Sequence, residues 1–275
     1  AEHCLRAKNL NGFFSQISTA GPFLNFRLAD GLLLDLVKDS VNPANWKSLM
    51  RPSKTMVEFL SPNTNKPLHL GHLRNAALGD SVSRILAAVG QTVTKTNLVN
   101  DRGIHICKSM IAWQTWGQGK TPKSKGEKGD HFVGHYYVMF EKGLKTEREQ
   151  WYKDNNLDRD ALGLEDQDKN DQRFEGESKL LAQARHMLLD WVAGKPEIIN
   201  LWRQMNQWVM DGFDATLSRL GIRFDKVYFE SETYKLGKDI IEAGLEKNIF
   251  TRIPNGGVIF NLPVEKFGLE KSGKP

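Results

Sequence analysis

The sequence predicts an α/β protein: a parallel sheet opened by a strand–helix–strand unit, interrupted by a long helical segment, and preceded by a small α+β module. Three observations carry this. Thr55–Asn100 reads as strand, loop, helix and strand within about fifty residues, and such a βαβ unit implies parallel strands with ligands at their carboxyl ends. Apolar residues at helical spacing dominate Phe174–Ala193 and Pro196–Leu220 before strand character returns at Lys226–Glu230. Near the start, two short apolar runs flank Gly21–Pro22.

Taken in order, Phe13, Phe14 and Ile17 supply a first strand and Phe23, Leu24, Phe26 and Leu28 a second, around the Gly21–Pro22 turn. Ala29–Val37 is predicted helical. Val41–Lys54, with Pro43 and Pro52, reads as a linker. This assigns 1–54 to an appended module and 55–275 to the catalytic body. Thr55–Leu60 is a short apolar strand, followed by the Ser61–Leu68 loop. A helix then runs from about His69 to Val89, with Leu73, Ala76, Ala77, Val82, Ile85, Leu86 and Val89 near helical period and Gly90 at its end. Gln91–Asn100 is the next strand, and Asp101–Arg102–Gly103 turns into the helix Ile104–Trp116.

The middle of the chain differs. Gly117–Asp130 reads as a Gly- and Lys-rich loop and His131–Gly143 as an aromatic helix. Leu144–Arg173 holds six basic and nine acidic residues and reads as solvent-exposed. Phe174–Ala193 is predicted as one helix and Pro196–Leu220 as another. Pro196 suits a first helical position and Gly221 a C-terminal cap. This places a mainly helical insertion at about 117–221. Ser231–Glu246 is predicted helical, and Ile249–Ile253 with Gly257–Leu262 forms a hairpin around Pro254–Asn255–Gly256.

Composition bounds the function. Charged residues are 26% of 275 and hydrophobic residues 40%, so a sizeable core is available and disorder is a poor reading. No apolar run approaches the roughly 20 residues of a membrane span, which predicts no membrane partner. Two cysteines, Cys4 and Cys107, exclude a disulfide scaffold and a four-cysteine zinc site, and point to a reducing, cytoplasmic setting. A net charge of +5 permits a polyanionic partner without requiring one. The start at Ala1 and the stop after an apparent strand predict a fragment of a longer protein.

The chemistry concentrates in Ser61-Pro62-Asn63-Thr64-Asn65-Lys66-Pro67-Leu68-His69-Leu70-Gly71-His72, where a strand hands over to a helix. A helix N-terminus offers unpaired N–H groups and positive partial charge, which suit phosphate. Gly71 removes a side chain that would obstruct a nucleotide. His69 and His72 can donate to oxygens whose charge grows as a nucleotidyl group is displaced, and Lys66 adds a mobile cation. On the motif alone, two histidines capping a helix are an equal reading. The strand, loop and helix around them favour function.

Val57-Glu58-Phe59-Leu60-Ser61-Pro62-Asn63, Lys66-Pro67-Leu68-His69-Leu70-Gly71-His72-Leu73-Arg74-Asn75 and Leu78-Gly79-Asp80 together resemble arginyl-tRNA synthetase. His69–His72 resembles the class I "HIGH" signature. Asn97–Gly103, Val227–Glu232 and Ala20–Phe26 resemble further stretches of the family, in the family's order. The resemblance implies the first half of a class I synthetase nucleotide-binding, Rossmann-like parallel sheet, carrying a helical insertion and preceded by the end of an N-terminal additional domain. It implies ATP with Mg2+, L-arginine and tRNA(Arg) as reactants and partners, and a monomer when full length. By position, His69, Gly71, His72 and Lys66 would serve ATP. Glu58 would bind the guanidinium, with Ser61, Asn63 and His69 at the amino-acid end. From spacing alone Glu58 reads as a charge at a strand end; the resemblance reverses that.

Asp101 either binds ligand or caps the helix at Ile104, and the sequence does not choose. Trp113, Trp116, Tyr136, Tyr137, Trp151, Trp191, Trp202 and Trp208 read as core ahead of RNA-stacking residues. Lys120, Lys123, Lys125 and Lys128 read as a solvated loop ahead of a phosphate contact. His131 and His135 stand one helical turn apart without a third ligand, which disfavours zinc. His105 and Cys107 read as buried. Two rival functions remain: a small-molecule nucleotidyltransferase with the same His-x-Gly-His motif, and a non-catalytic nucleotide- or RNA-binding relative. The long stretch before the motif and the Val227–Glu232 match favour the synthetase. The family's second signature and anticodon-binding domain are not found before Pro275, so residues 1–275 alone are expected to be inactive.

Overall fold

The computed structural model describes residues 13–47, 49–253 and 257–261. They form two compact units. One takes the described residues up to Val57 together with Ala77–Lys95; the other takes Glu58–Ala76 together with the described residues from Thr96 on.

In the first unit, β1 (Phe14–Ala20) and β2 (Phe23–Leu28) pair antiparallel. Gly21, at φ +59, closes the turn between them, a left-handed conformation that costs glycine least. The helix α1 (Asp30–Ser40) follows, a little longer than the sequence implies. The expected linker contains one short helix, α2 (Pro43–Trp46), started by Pro43 and by the Asn42 side chain accepting from the Ala44 N–H at 3.1 Å. Gln91 ties the start of strand β3 (Lys54–Glu58) by donating to the Arg51 carbonyl at 2.8 Å and accepting from the Ser53 hydroxyl. Gly90, at φ +95, sits so close to Lys47 that a Cβ would lie 2.7 Å from its carbonyl oxygen.

Strands β3, β4 (Thr92–Val99) and β5 (Lys226–Phe229) form one sheet with β4 central. Thr92 donates to Ser53 and Phe59 donates to Thr96. Both partners advance in the same direction along their chains, so this pair is parallel, as is β4 with β5 from Thr96↔Lys226 to Val99↔Phe229. The crossover between β3 and β4 is α3 (Leu70–Ala88).

Between β4 and β5 lie α4 (Ile104–Trp116), α5 (Pro122–Lys125), α6 (Gly129–Asp154), α7 (Leu164–Glu177), α8 (Lys179–Val192) and α9 (Pro196–Leu220). Their shared core holds Met110, Phe132, Phe140, Met205, Val209 and Phe213, each at most 2% exposed. Burying side chains of this size is worth about 1.5–3 kcal/mol apiece. Helices α6 and α9 cross at small residues: a Cβ on Gly212 would lie 2.5 Å from the buried Asp130 carboxylate. Asp130 is paired with Lys128 at 3.0 Å, so that lysine is structural.

Several sequence readings need correction here. The loop Gly117–Asp130 contains α5, whose Thr121 and Ser124 make a reciprocal capping box. The aromatic helix expected at His131–Gly143 continues to Asp154. The acidic stretch after it is not wholly solvated: Tyr152 is buried and bonds Asp171 at 3.0 Å, and Asp171 pairs with Arg159 at 2.7 Å. The single helix expected over Phe174–Ala193 is two, broken at Ser178. Its hydroxyl accepts from Leu181 N–H at 3.1 Å, and Glu147 of α6 accepts from the Lys179 N–H at 2.6 Å. A carboxylate from a distant helix makes that start stable, which local periodicity cannot reveal. Pro196 and Gly221 sit at the two ends of α9 as expected, Gly221 at φ +68.

After β5, the helix expected at Ser231–Glu246 is three pieces: α10 (Glu230–Thr233), a tight turn at Tyr234–Gly237 and α11 (Lys238–Glu246). Strands β6 (Thr251–Arg252) and β7 (Val258–Ile259) form the expected antiparallel hairpin; its turn, Pro254–Gly256, lies outside the described residues, as does Cys4.

Candidate active site at the carboxyl ends of the strands

Glu58 ends β3 and is exposed. The next two residues, Leu60 at φ +81 and Ser61 at φ +45, are both left-handed, an unfavourable conformation for residues with a Cβ. Their N–H groups show what holds them there. Leu60 donates to the Asn75 side chain of α3, and Ser61 donates to the Asn97 side chain of β4 at 3.0 Å. The turn is thus clamped from a helix and a strand at once. It brings the Ser61 hydroxyl within 3.3 Å of the Glu58 carboxylate, to which it donates.

The loop then runs along the extension of β4. Asn100 N–H donates to the Pro62 carbonyl at 2.9 Å, Thr64 N–H donates to the Asn100 carbonyl at 3.0 Å, and Asn63 bridges Asn100 in parallel. Pro62 and Thr64 are fully buried. Glu58, Ser61 and Asn63 therefore rise from one rigid strand-to-loop segment.

The histidines sit at the α3 N-terminus. His69 N–H donates to His72 Nδ1 at 3.2 Å, and Gly71 N–H donates to His69 Nδ1 at 3.1 Å. Each imidazole thus takes up an otherwise orphaned helix donor. A neutral ring accepting at Nδ1 carries its proton on Nε2, so both histidines keep an Nε2–H donor. The rings lie 3.9 Å apart, centroid to centroid. Burial, then the neighbouring His69 and Lys66 charges, lower the His72 pKa below the ordinary imidazole value. Gly71 has a sharper reason than nucleotide access: a Cβ there would lie 2.9 Å from His69 Cε1, so any side chain would displace the ring.

Asp101 is neither a cap nor an exposed ligand. It is buried, and its carboxylate accepts from both the N–H and the hydroxyl of Ser231, at 2.8 and 2.7 Å. Its carbonyl accepts from the Trp202 indole at 2.6 Å. It ties the end of β4 to α9 and to the start of α10. Arg102 beside it stacks on Tyr234, 3.7 Å from the ring centroid.

Of the weaker candidates, Trp191 and Tyr136 are buried and Trp113, Trp202 and Trp208 pack on the core, whereas Trp116 is partly exposed. Lys123 and Lys125 are exposed. His131 and His135 are exposed, and His135 lies 3.0 Å from Glu127; among the described residues no group of three or more His, Cys, Asp or Glu is placed to hold a metal. Cys107 is buried, and desolvation raises its thiol pKa to about 11. His105 departs from expectation: it is exposed, with Nδ1 3.2 Å from the Tyr137 hydroxyl. The clamping roles of Asn75 and Asn97 were not read from the sequence. The available signal was an amide inside a helix and another inside a strand, where Asn is disfavoured.

Residues 37–271 match the family model for tRNA synthetases class I (R), catalytic domain. The chain belongs to that family. Its curated relatives include the arginine–tRNA ligase of Porphyromonas gingivalis W83, 45% identical over 260 residues, which are 94% of this chain and 41% of that protein. The arginine–tRNA ligase of Bacteroides thetaiotaomicron is 44% identical over 247 residues, 88% of this chain and 39% of that one. Among solved structures, Thermus thermophilus arginyl-tRNA synthetase aligns at TM-score 0.51 and 25% identity, over 90% of this chain and 36% of that chain. Arginyl-tRNA synthetase from Plasmodium falciparum aligns at TM-score 0.57 over 95% and 41%; at 15% identity it speaks to fold alone. The chain thus spans about two-fifths of the curated synthetases it matches. The α/β fold with a parallel sheet and helical segment is that of the class I synthetase catalytic region.

Proposed function

We propose that the full-length protein is an arginine–tRNA ligase. The arginine carboxylate attacks the α-phosphorus of ATP, the bond to the β-phosphate breaks, and pyrophosphate leaves. The terminal ribose hydroxyl of tRNA(Arg) then attacks the arginyl carbonyl and AMP departs.

The observation that carries this reading is the pairing of two supports on one loop. At one end, Glu58 and its bonded Ser61 rise from the clamped turn; at the other, two Nε2–H donors stand on a helix N-terminus. A guanidinium meets a carboxylate bidentately, and Asn63 completes the amino-acid end. His69 and His72 stabilise negative charge developing on the α-phosphoryl oxygens. Lys66 neutralises the departing phosphates. Mg2+ enters as the counter-ion of the ATP substrate. The protein works as a cytoplasmic monomer, its 55–275 region forming the first half of the catalytic domain and 1–54 the end of an appended one. The test is arginylation of tRNA by the full-length protein with each candidate amino acid. Preference for lysine, glutamate or cysteine over arginine would sink the reading.

A further inference from the structure

Gly134 lies in the first half of α6, buried, and faces the loop that carries Lys66. A Cβ at this position would lie 2.7 Å from Pro67 Cδ and 3.7 Å from the Lys66 Cα. The first distance is below any real Cβ contact. The proline ring cannot swing aside as a flexible side chain would, because its φ is locked. The opposing helix is equally constrained: Phe132, Val133, Tyr136 and Phe140 on either side of Gly134 are buried in the helical core. An added methyl must therefore move the Lys66–Pro67 backbone.

Upstream, the loop resists such movement. Ser61 is held by Asn97, and Pro62 and Thr64 by Asn100. Between Thr64 and His69, no hydrogen bond to the rest of the described chain is comparable. Displacement thus concentrates at Lys66 and Pro67, between the amino-acid end and the histidines.

We infer that Gly134 is a positioning residue: by leaving room for Pro67, the helical segment between β4 and β5 sets where the Lys66 ammonium stands toward the ATP phosphates. This rests on the proposed function, in which Lys66 serves ATP. A misplacement of about 1 Å in a group that orients substrate costs on the order of 10²-fold.

The experiment compares full-length wild type with Gly134→Ala, Pro67→Ala, Lys66→Ala and the doubles Gly134→Ala/Pro67→Ala and Gly134→Ala/Lys66→Ala. Arginylation kinetics are measured with ATP and arginine varied separately. Gly134→Ala is expected to lower kcat/KM for ATP by roughly 10–10²-fold while KM for arginine moves less than about twofold. Pro67→Ala removes the ring carbon in the way, so it should restore ATP kinetics in the first double. Lys66→Ala should make Gly134→Ala nearly silent in the second. A residue of merely structural importance would depress both substrates together and show neither rescue nor masking, and that result overturns the inference. If Gly134→Ala does not fold, Gly134→Ala/Pro67→Ala decides. Folded with near wild-type ATP kinetics it supports the inference; unfolded or ATP-impaired it overturns it. A wild-type protein that fails to arginylate tRNA sinks the functional reading, whereas an active wild type with an unaltered Gly134→Ala sinks this inference alone.

Discussion

His72 does two things with one ring. Nδ1 accepts from the His69 N–H, and Nε2–H is left to donate. Replacing it with alanine removes one preorganised donor, a loss of about 2.7–4 kcal/mol in the transition state. The expected outcome is adenylate formation slowed roughly 10²–10³-fold in a single-turnover assay, and an unchanged rate would reject the role. Protonation is the milder version of that change, because the imidazolium can no longer accept at Nδ1 and the cap bond is lost. The His72 pKa is lowered by burial and by His69 and Lys66, so the neutral ring persists to lower pH than an ordinary imidazole would. As pH falls from 8, activation should decline with a midpoint below the ordinary imidazole value. A decline centred above the ordinary imidazole value contradicts the assignment. At the other end of the loop, Glu58→Gln removes the charge that the proposed function sets against the guanidinium. Hydrogen bonds to charged groups are worth about 1.5–3 kcal/mol, so the KM for arginine should rise roughly tenfold to a hundredfold with little change in the KM for ATP.

Among the secondary-structure elements, Asp101 is the knot. One buried carboxylate gathers the Ser231 N–H and hydroxyl, and its carbonyl takes the Trp202 indole, so β4, α9 and α10 meet at a single residue. Asp101→Ala strands the Ser231 N–H in a partly buried place. The expected cost is about 2–3 kcal/mol, read as a lower midpoint in urea unfolding with an unchanged slope. A shift under about 0.5 kcal/mol would return Asp101 to the ligand reading. This tie fixes the first turn of the stretch after β5 through Ser231. The break at Ser178 has the same character, since Glu147 of another helix supplies the acceptor that starts α8.

For the whole molecule, the decisive quantity is how much of the family's length is present. The chain spans about two-fifths of its curated relatives. On the described residues, α3 leaves Leu78, Val82 and Ile85 exposed, and Leu236 in the turn before α11 and Ile240 within α11 are exposed as well. Exposed apolar surface of this kind favours association. Residues 1–275 expressed alone are therefore expected to self-associate and not to arginylate tRNA. Turnover within about tenfold of the full-length protein, a difference of roughly 1.4 kcal/mol, would show that the site is complete within this chain.

What the sequence determined by itself were the features written in short-range pattern. The period of Pro196–Leu220, the proline and glycine at its ends, and the strand–loop–helix around His69 and His72 depend on neighbours within a few residues, where propensity and capping act. Tertiary structure alone decided what depends on partners far along the chain. Asn75 and Asn97 reach the Leu60–Ser61 turn across 15 and 36 residues, Asp101 reaches Ser231 across 130, and Gly134 makes room for Pro67. A buried residue such as Asn97, Asp101 or Gly134 has no periodicity to announce it. Its meaning arises only when folding removes water and leaves one distant group to satisfy it or one distant ring to fill the space.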